Sequence, residues 1–134
     1  YPYRAFCTFS THDRSTRRGW WEEDYQLTQR YYKQMLGHYG TAPAIATPEL
    51  CEEVIRNHLD SNSILCILSL QDWLSMDGKW RNPNVQEERI NIPANPRHYW
   101  RYRMHLTLEQ LMKAESLNEK IRELVKQTGR NPEK

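Results

Sequence analysis

The stretch Ser63-Ile64-Leu65-Cys66-Ile67-Leu68-Ser69-Leu70 decides the fold class of this chain. Its apolar residues occupy consecutive positions instead of alternating with polar ones. This pattern is typical of a parallel strand that is covered by helices on both faces. A parallel strand also requires crossover connections to its neighbours. We therefore predict an α/β protein in which residues 63–70 form the most central strand.

The residues before this strand predict one further strand and two helices. Ala5–Ser10 is a short run of apolar and β-prone residues that ends in a polar loop. An acidic cluster at 22–24, followed by apolar residues near helical spacing, predicts a helix over about 22–36. Thr47-Pro48 has the residue types of an N-cap and a first helical position. The helix that begins there is predicted to bury Leu50, Val54, Ile55 and Leu59.

The residues after the central strand predict a long loop and two helices. Residues 71–103 are dense in Trp, Tyr, Arg, Pro and Asn without a sustained period, which is typical of a functional loop. Thr107-x-x-Gln110 and Ser116-x-x-Glu119 are capping-box patterns before apolar residues at helical spacing. The chain therefore consists of two β/α units, at 1–62 and 63–134. Two strands cannot complete a parallel architecture, so we expect another chain, or the rest of a larger protein, to complete the sheet.

Composition limits the size and the partners of the chain. Its 134 residues leave room for one domain, and five Trp and eight Tyr predict an aromatic core. The net charge of +2 gives no single-signed field for nucleic acid or an anionic membrane. No apolar run approaches the length that spans a bilayer, so we expect a soluble protein. The sequence begins abruptly at Tyr1, which suggests a piece of a longer chain.

The three cysteines do not indicate a disulfide framework or a metal site. Cys7, Cys51 and Cys66 are odd in number, lie within apolar patterns and show no C-x-x-C spacing. We predict reduced, buried thiols. No metal ion or organic cofactor is expected.

Candidate functional residues follow the two predicted strands, where parallel α/β proteins place their active groups. His12-Asp13 follows the first strand, where a carboxylate and an imidazole are positioned to meet a substrate. The alternative is a loop Asp that caps the next turn. The loop after the second strand carries polar groups among aromatic rings, at 71–73, 88–91 and 99–103.

Amides, carboxylates and guanidinium groups among aromatic rings are suited to a sugar, because hydroxyl groups need polar partners and pyranose faces stack on rings. Alternatively, these aromatic residues only pack the loop, and Glu88-Arg89 is a surface ion pair. Single-stranded nucleic acid also stacks on aromatic residues, but the near-neutral charge argues against it.

Four ordered motifs resemble the carboxyl-terminal end of the 4-α-glucanotransferases, also called amylomaltases or disproportionating enzymes. The resemblance is closest to the cytosolic plant type and its bacterial relatives. The motifs are Ser10-Thr11-His12-Asp13-x-Ser15-Thr16-x-Arg18-Gly19-Trp20-Trp21-Glu22-Glu23-Asp24, Leu70-Gln71-Asp72, Glu88-x-Ile90-Asn91-x-Pro93 and Asn95-Pro96-Arg97-His98-Tyr99-Trp100-Arg101-Tyr102-Arg103.

The resemblance implies a (β/α)8 TIM barrel, of which this chain supplies the seventh and eighth β/α units. It also implies retaining transfer of α-1,4-glucan segments between maltooligosaccharides by double displacement, in the cytoplasm and without a cofactor. Such a reaction requires a carboxylate nucleophile and a carboxylic acid that doubles as base. In the family both stand on earlier strands, upstream of Tyr1.

The resemblance also assigns roles to individual residues. Asp13 matches the carboxylate that grips the sugar at the cleavage site and stabilises the transition state, and His12 matches a donor to the same sugar. Asn91 and Gln71 match positions that line this pocket. Trp20 and Trp100 are stacking platforms or packing residues, of which packing is favoured.

Three arginines depart from the family pattern. Arg14 and Arg17 flank the His-Asp pair where relatives carry small or apolar residues, and Arg4 interrupts the entry to the first strand. A cation beside Asp13 would hold it ionised, whereas a bulky side chain would block the glucan.

We expect the isolated chain to lack transferase activity. Two alternatives from other classes are a carbohydrate-binding module, for which Asp13 would be dispensable, and an interaction module that self-associates through exposed strand edges.

Overall fold

The computed structural model describes residues 2–9 and 11–130. Tyr1, Ser10 and residues 131–134, which the predicted strand and unit boundaries include, lie outside the described residues. In chain order the elements are β1 (Phe6–Thr8), α1 (Arg17–Glu23), α2 (Tyr25–Gln34), α3 (Pro48–Leu59), β2 (Leu65–Ile67), α4 (Leu70–Leu74), a 3-10 helix (Val85–Glu88), α5 (Leu108–Met112) and α6 (Glu115–Gln127).

The two strands form a parallel two-stranded sheet, as predicted, but they are shorter than expected. In its register Phe6 lies opposite Leu65, Cys7 opposite Cys66 and Thr8 opposite Ile67. Cys7 is buried, whereas Phe6, Leu65 and Ile67 are 64%, 57% and 56% exposed. The prediction that the second strand is covered on both faces is therefore wrong for the described chain. Its own helices bury one face of the sheet and leave the other open.

The core consists of two clusters that are mainly aliphatic. One lies between α3, the end of α4 and α6, and contains Ile55, Leu59, Leu74, Met76, Ala114, Leu117 and Leu124. The other surrounds Trp21 and contains Ala42, Ala46, Leu50 and Cys51. The predicted aromatic core is wrong in its emphasis, because Trp21 is the only buried aromatic side chain among the described residues. Six of the other rings pack half-buried against these clusters, and six are exposed. Large amphipathic rings more often leave an edge in water than aliphatic side chains do.

The predicted helix over about 22–36 is divided into α1 and α2. Thr16 is the N-cap of α1, and its side chain accepts a hydrogen bond from the Gly19 N–H at 3.3 Å. Asp24 ends α1 in an extended conformation and caps α2, accepting from Gln26 N and Leu27 N. The acidic residues at 22–24 therefore mark a helix junction. The sequence pattern missed the first helix because it begins before them.

The helix over Pro48–Leu59 confirms the prediction in detail. Thr47 is the N-cap, Pro48 opens the helix, and the four residues predicted to be buried are buried. Arg130 fixes the turn after this helix from the far end of the chain. Its guanidinium donates to the carbonyl oxygens of Leu59, Ser61 and Ser63 at 2.5, 2.8 and 2.8 Å.

The long loop after β2 contains two short helices that no sequence pattern predicted. Ser69 caps α4, and its hydroxyl donates to the Asp72 carboxylate at 2.7 Å. Burial raises the pKa of Asp72, although hydrogen bonds from Ser69 and the Arg17 charge act against this. The strand ends three residues earlier than predicted because Ser69 starts a helix there.

The C-terminal helices confirm one capping box and not the other. Thr107 and Gln110 form the predicted box at the start of α5. The box predicted at Ser116 is wrong, because α6 starts at Glu115 and its N-cap, Ala114, makes no side-chain bond. Ala114 is fully buried, so packing positions this helix start.

All three cysteines are free thiols, and Cys7 and Cys51 are buried whereas Cys66 is half-buried. Among the described residues, no helix has the length and apolar character to span a membrane.

Candidate functional site

The loop after β1 places the predicted His12-Asp13 pair beyond the carboxyl end of that strand. A hydrogen bond from the Arg14 N–H to the Thr11 carbonyl oxygen, at 3.0 Å, closes a turn around the pair. His12 Nε2 lies 3.4 Å from Asp13 Oδ1, and both side chains are about half exposed. The N-cap of the next helix is Thr16, so Asp13 is not needed for capping and is open to a ligand.

The long loop after β2 brings Asn91 to the same place. Asn91 Nδ2 donates a hydrogen bond to Asp13 Oδ1 at 2.7 Å, across 78 positions of sequence. The predicted proximity of these two residues is therefore observed as a direct contact. In the part of the chain that the structure describes, Asp13 Oδ2 and the Asn91 side-chain carbonyl have no other hydrogen-bond partner. Both acceptors are available to hydroxyl groups.

A buried ion pair joins the same two loops. Arg18 Nη1 donates to Glu88 Oε1 at 2.6 Å and to the Asn82 carbonyl at 2.8 Å. Thr16 Oγ1 donates to the other carboxylate oxygen of Glu88 at 3.0 Å. Arg18 and Glu88 are only 5% and 3% exposed. Burial raises the pKa of Glu88, although the Arg18 charge and the Thr16 hydroxyl act to lower it.

No sequence pattern predicted this ion pair, and the alternative that Glu88 pairs with Arg89 at the surface is wrong. The signal that would have found it is the position of Arg17 and Arg18 in the first turn of a helix. Cations are unfavourable near the positive end of the helix dipole. An arginine at that position therefore indicates a specific acidic partner.

Gln71 lies in α4, directly behind the His12-Asp13 loop. It is buried, and its Nε2 donates to the Glu88 carbonyl oxygen at 3.3 Å. A small cavity of about 60 Å³ adjoins it and is lined by Thr11, His12, Arg14, Thr16, Ser69, Gln71, Glu88 and Ile90. Gln71 and His12 therefore line one cavity, with the Gln71 amide group holding the backbone of the second loop.

A larger groove of about 710 Å³, here called the strand-end groove, runs beside Asp13. Its lining residues are Phe9, Asp13, Arg14, Ser15, Arg17, Trp20, Glu23 and Arg89. Trp20 forms part of its wall and packs edge-on against Tyr31, with ring centroids 5.6 Å apart. Trp20 is thus both a packing residue and a groove residue.

Arg4, Arg14 and Arg17, which stand out in the sequence, occupy different environments. The Arg17 guanidinium lies over the rings of Phe9, Trp20 and Tyr31, at 4.8, 5.0 and 5.1 Å from their centroids. It therefore lies against the groove wall. Arg14 is exposed and lines both the strand-end groove and the small cavity. Arg4 is exposed and precedes β1, so it lies toward the opposite end of the strand.

The segment at 99–103 presents aromatic rings to the same loop. Trp100 is 61% exposed, and its ring centroid lies 5.0 Å from that of His12. Arg101 covers the Tyr99 ring at 5.1 Å. Burial raises the pKa of Tyr102, and the Glu88 charge adds to this effect. Trp100 therefore uses little of its surface in packing and is mostly exposed beside His12.

The side chains of Asp13, Asn91 and His12 form one rim, here called the rim, which consists of a carboxylate, an amide and an imidazole. The exposed indole ring of Trp100 lies beside it. Carboxylate and amide oxygens accept hydrogen bonds from hydroxyl groups, and the imidazole can donate one. Among residues 2–9 and 11–130, no three His, Cys, Asp or Glu side chains cluster as a metal site would require. The arrangement can hold a polyhydroxylated ligand.

Comparisons with known proteins bear directly on this arrangement. A family model described as 4-alpha-glucanotransferase matches residues 1–108. The chain is 40% identical to 4-alpha-glucanotransferase DPE2 of Oryza sativa subsp. japonica over 131 residues, which are 98% of this chain and 14% of that relative. It is 31% identical to the 4-alpha-glucanotransferase of Chlamydia muridarum over 115 residues, which are 85% of this chain and 21% of that relative.

The chain thus spans less than a quarter of the length of these relatives. The family match covers both candidate loops, from His12-Asp13 to Asn91. The resemblance found in the sequence motifs is confirmed. The chain belongs to the 4-alpha-glucanotransferase family, glycoside hydrolase family 77, whose members have a TIM-barrel fold.

Proposed function

We propose that this chain forms the last two β/α units of a 4-α-glucanotransferase barrel, with the seventh unit at 1–62 and the eighth at 63–134. The parallel pairing of β1 and β2 supports this position in a barrel. So does the open sheet face, where Phe6, Leu65 and Ile67 are exposed. Inward-pointing apolar side chains fill the interior of a TIM barrel, and six further strands would cover these three residues.

The reaction we propose is retaining transfer of α-1,4-glucan segments between maltooligosaccharides. Asp13 holds hydroxyl groups of the sugar at the cleavage site and stabilises the flattened, positively charged ring of the transition state. The contact between Asp13 and Asn91 carries this proposal, because it joins the loops that follow the two strands into one rim. An interaction that strengthens in the transition state accelerates the reaction, whereas uniform binding does not.

The other site residues have supporting roles in this proposal. His12 donates to the same sugar, and Asn91 orients Asp13. Gln71 holds the second loop against the first, and Trp100 offers its exposed ring for stacking. The nucleophile and the acid/base, which a retaining mechanism requires, come from segments of the barrel outside this chain. The cytoplasmic location remains a prediction from the resemblance.

A chimeric enzyme tests this proposal. The matching segment of the rice relative is replaced by this chain, and the chimera is incubated with maltotriose. We expect longer and shorter maltooligosaccharides to form, because the chain is 40% identical to the segment it replaces. Asp13→Asn in the chimera should lower kcat by about 100- to 1000-fold, the usual effect of removing one charge-stabilising group, and should change KM little.

The matched control is Asp60→Asn in the same chimera. Asp60 is an exposed carboxylate that precedes β2, at the opposite end of the strands from Asp13. This variant should retain full activity. If Asp13→Asn transfers glucose as fast as the control variant, the proposed role of Asp13 is wrong. The isolated chain should show no disproportionation, and robust activity would contradict its position as part of a barrel.

The exposed sheet face also supports a second candidate, an interaction module that pairs with another copy of the chain. Unpaired strand edges and exposed apolar side chains favour strand addition. Sedimentation over a range of concentrations distinguishes the two candidates, because an interaction module forms a defined dimer whereas a barrel segment does not.

A further inference from the structure

Two cysteines face each other on the adjacent strands of the sheet. Cys7 of β1 and Cys66 of β2 lie directly opposite each other in the parallel register. Side chains at paired positions of neighbouring parallel strands point to the same face of the sheet. Strands are about 4.8 Å apart, and disulfide-linked residues have Cα atoms about 4.4–6.8 Å apart.

We propose that Cys7 and Cys66 form a reversible disulfide when the chain meets a peroxide, and that Cys51 takes no part. This would be a modification site that ties the two strands together below the His12-Asp13 loop. The inference does not depend on the proposed transferase activity. It needs only the register of the sheet, which places two of the three thiols together.

Although Cys7 is buried, its polar neighbours favour the thiolate, which is the form that reacts with a peroxide. Its Sγ lies 3.3 Å from Ser61 Oγ and 3.6 Å from the His58 carbonyl oxygen. Burial acts to raise the pKa of Cys7, but the hydrogen bond with Ser61, the neighbouring Cys66 thiol and the charge of Arg130 outweigh it and lower the pKa. The thiolate is the nucleophilic form of cysteine.

Cys66 has the complementary properties of a resolving thiol. The pKa of Cys66 is raised to about 12. Burial is the largest cause, and the neighbouring Cys7 sulfur, with its negative charge when ionised, adds to it. When Cys7 becomes a neutral sulfenic acid its negative charge disappears, which removes one of the effects that raise the pKa of Cys66 and lets the attacking Cys66 thiolate form. It is also only half-buried. Cys51 lies in the other core cluster, and burial, as the largest effect, raises its pKa.

The reaction proceeds in two balanced steps. The Cys7 thiolate attacks one oxygen of hydrogen peroxide, which breaks the O–O bond, releases hydroxide and leaves a sulfenic acid. The Cys66 sulfur then attacks the Cys7 sulfur, which forms the S–S bond and releases water. The two thiols lose two electrons in total, and the peroxide is reduced to water. Dithiothreitol reverses the change.

Tryptic digestion gives a direct test, because the three cysteines lie in three different peptides, at 5–14, 34–56 and 57–79. The full chain is treated with hydrogen peroxide, quenched with catalase, alkylated and digested. Mass spectrometry should show peptides 5–14 and 57–79 linked, with Cys51 alkylated. The intact chain should lose the mass of two hydrogen atoms and regain it with dithiothreitol.

Oxidation in concentrated guanidinium chloride is the control for chance pairing. In an unfolded chain the shortest loop closes most readily, so the Cys51–Cys66 link should exceed the Cys7–Cys66 link by about eightfold, from the three-halves power of the two loop lengths. In the native chain we expect the order to reverse, with Cys7–Cys66 at least about tenfold in excess. A native chain that gives the same pairing as the unfolded one overturns the proposal.

Serine variants make the assignment specific. Cys51→Ser should leave the oxidation unchanged, whereas Cys7→Ser and Cys66→Ser should each abolish the intramolecular link. Dominant links through Cys51, or irreversible oxidation of Cys7 without a link to Cys66, would also overturn the proposal. So would a chain in which all three thiols stay reduced.

Discussion

Removing the carboxylate of Glu88 is the sharpest test of how the two loops are held together. The Arg18–Glu88 pair is almost completely buried, and the carboxylate accepts one hydrogen bond from Arg18 and one from Thr16. Glu88→Leu leaves the Arg18 guanidinium buried with the Asn82 carbonyl as its remaining acceptor. A buried charge without its partner is strongly destabilising.

The expected magnitude follows from the burial of the pair. Breaking one side of a buried ion pair costs about 3–5 kcal/mol in the free energy of unfolding, so we expect this loss for Glu88→Leu. Glu88→Gln keeps an acceptor for Arg18 and changes a charged hydrogen bond to a neutral one, which should cost about 1–2 kcal/mol. In the double variant Arg18→Met/Glu88→Leu no charge is left unpaired, and we expect it within about 1 kcal/mol of the original chain.

Urea unfolding followed by tryptophan fluorescence measures these differences. The matched control is Glu119→Leu, because Glu119 pairs with Arg122 at 3.0 Å on the surface and both side chains are exposed. Exposed pairs contribute about 0–1 kcal/mol. If Glu88→Leu loses no more stability than Glu119→Leu, or if the double variant is as unstable as Glu88→Leu, the buried pair does not hold the loops as argued.

Three further expectations concern other parts of the chain. Burial raises the folded-state pKa of Asp72. Its contribution to stability is therefore complete below the unfolded pKa, about 4, and is lost as the pH rises through the folded pKa. In urea titrations at a series of pH values, the original chain should lose stability over that window relative to Asp72→Asn. Trp21 is buried, and its Nε1 donates to the carbonyl oxygen of the half-buried Pro43 at 2.7 Å, so Trp21→Phe should lower the free energy of unfolding by about 1–3 kcal/mol. Urea denaturation measures this loss, and an unchanged value would contradict a role for this bond. Leu65→Thr, on the open sheet face, should change the free energy of unfolding by no more than about 0.5 kcal/mol and reduce concentration-dependent association in sedimentation. Unaltered association would show that this face does not mediate self-association.

Local patterns predicted the elements whose signals lie within one turn of helix or one strand. Thr47-Pro48 predicted the start of α3, and Thr107 with Gln110 predicted the start of α5. These caps are local hydrogen bonds, so the residues that make them are sufficient to indicate them. The Ser116 box failed for the opposite reason, because the burial of Ala114 in the core places the N-cap of α6 two residues before Ser116.

Tertiary contacts explain what the sequence could not predict at the site. The direction of parallel strands predicted that the two loops meet at one edge, and the family resemblance then assigned Asn91 to the pocket of Asp13, which the structure shows as a direct contact. No local pattern indicates that Glu88 turns inward to Arg18, because that choice depends on a residue 70 positions away. The open face of β2 was missed because its apolar run matches a strand covered on both sides, which this chain alone does not provide.

The positions of the two loops depend more on the buried contacts of Glu88 with Arg18 and Thr16 than on the exposed contact between Asp13 and Asn91. The hydrogen bond between Asp13 and Asn91 lies at a half-exposed rim, where water competes for both partners, and such bonds contribute only about 0.5–1.5 kcal/mol. Thr16 follows Asp13 by three residues, and Glu88 precedes Asn91 by three, so the buried pair anchors both loops next to the rim. The rim can therefore release its mutual hydrogen bond to a sugar hydroxyl without losing its shape, because its position is fixed from below.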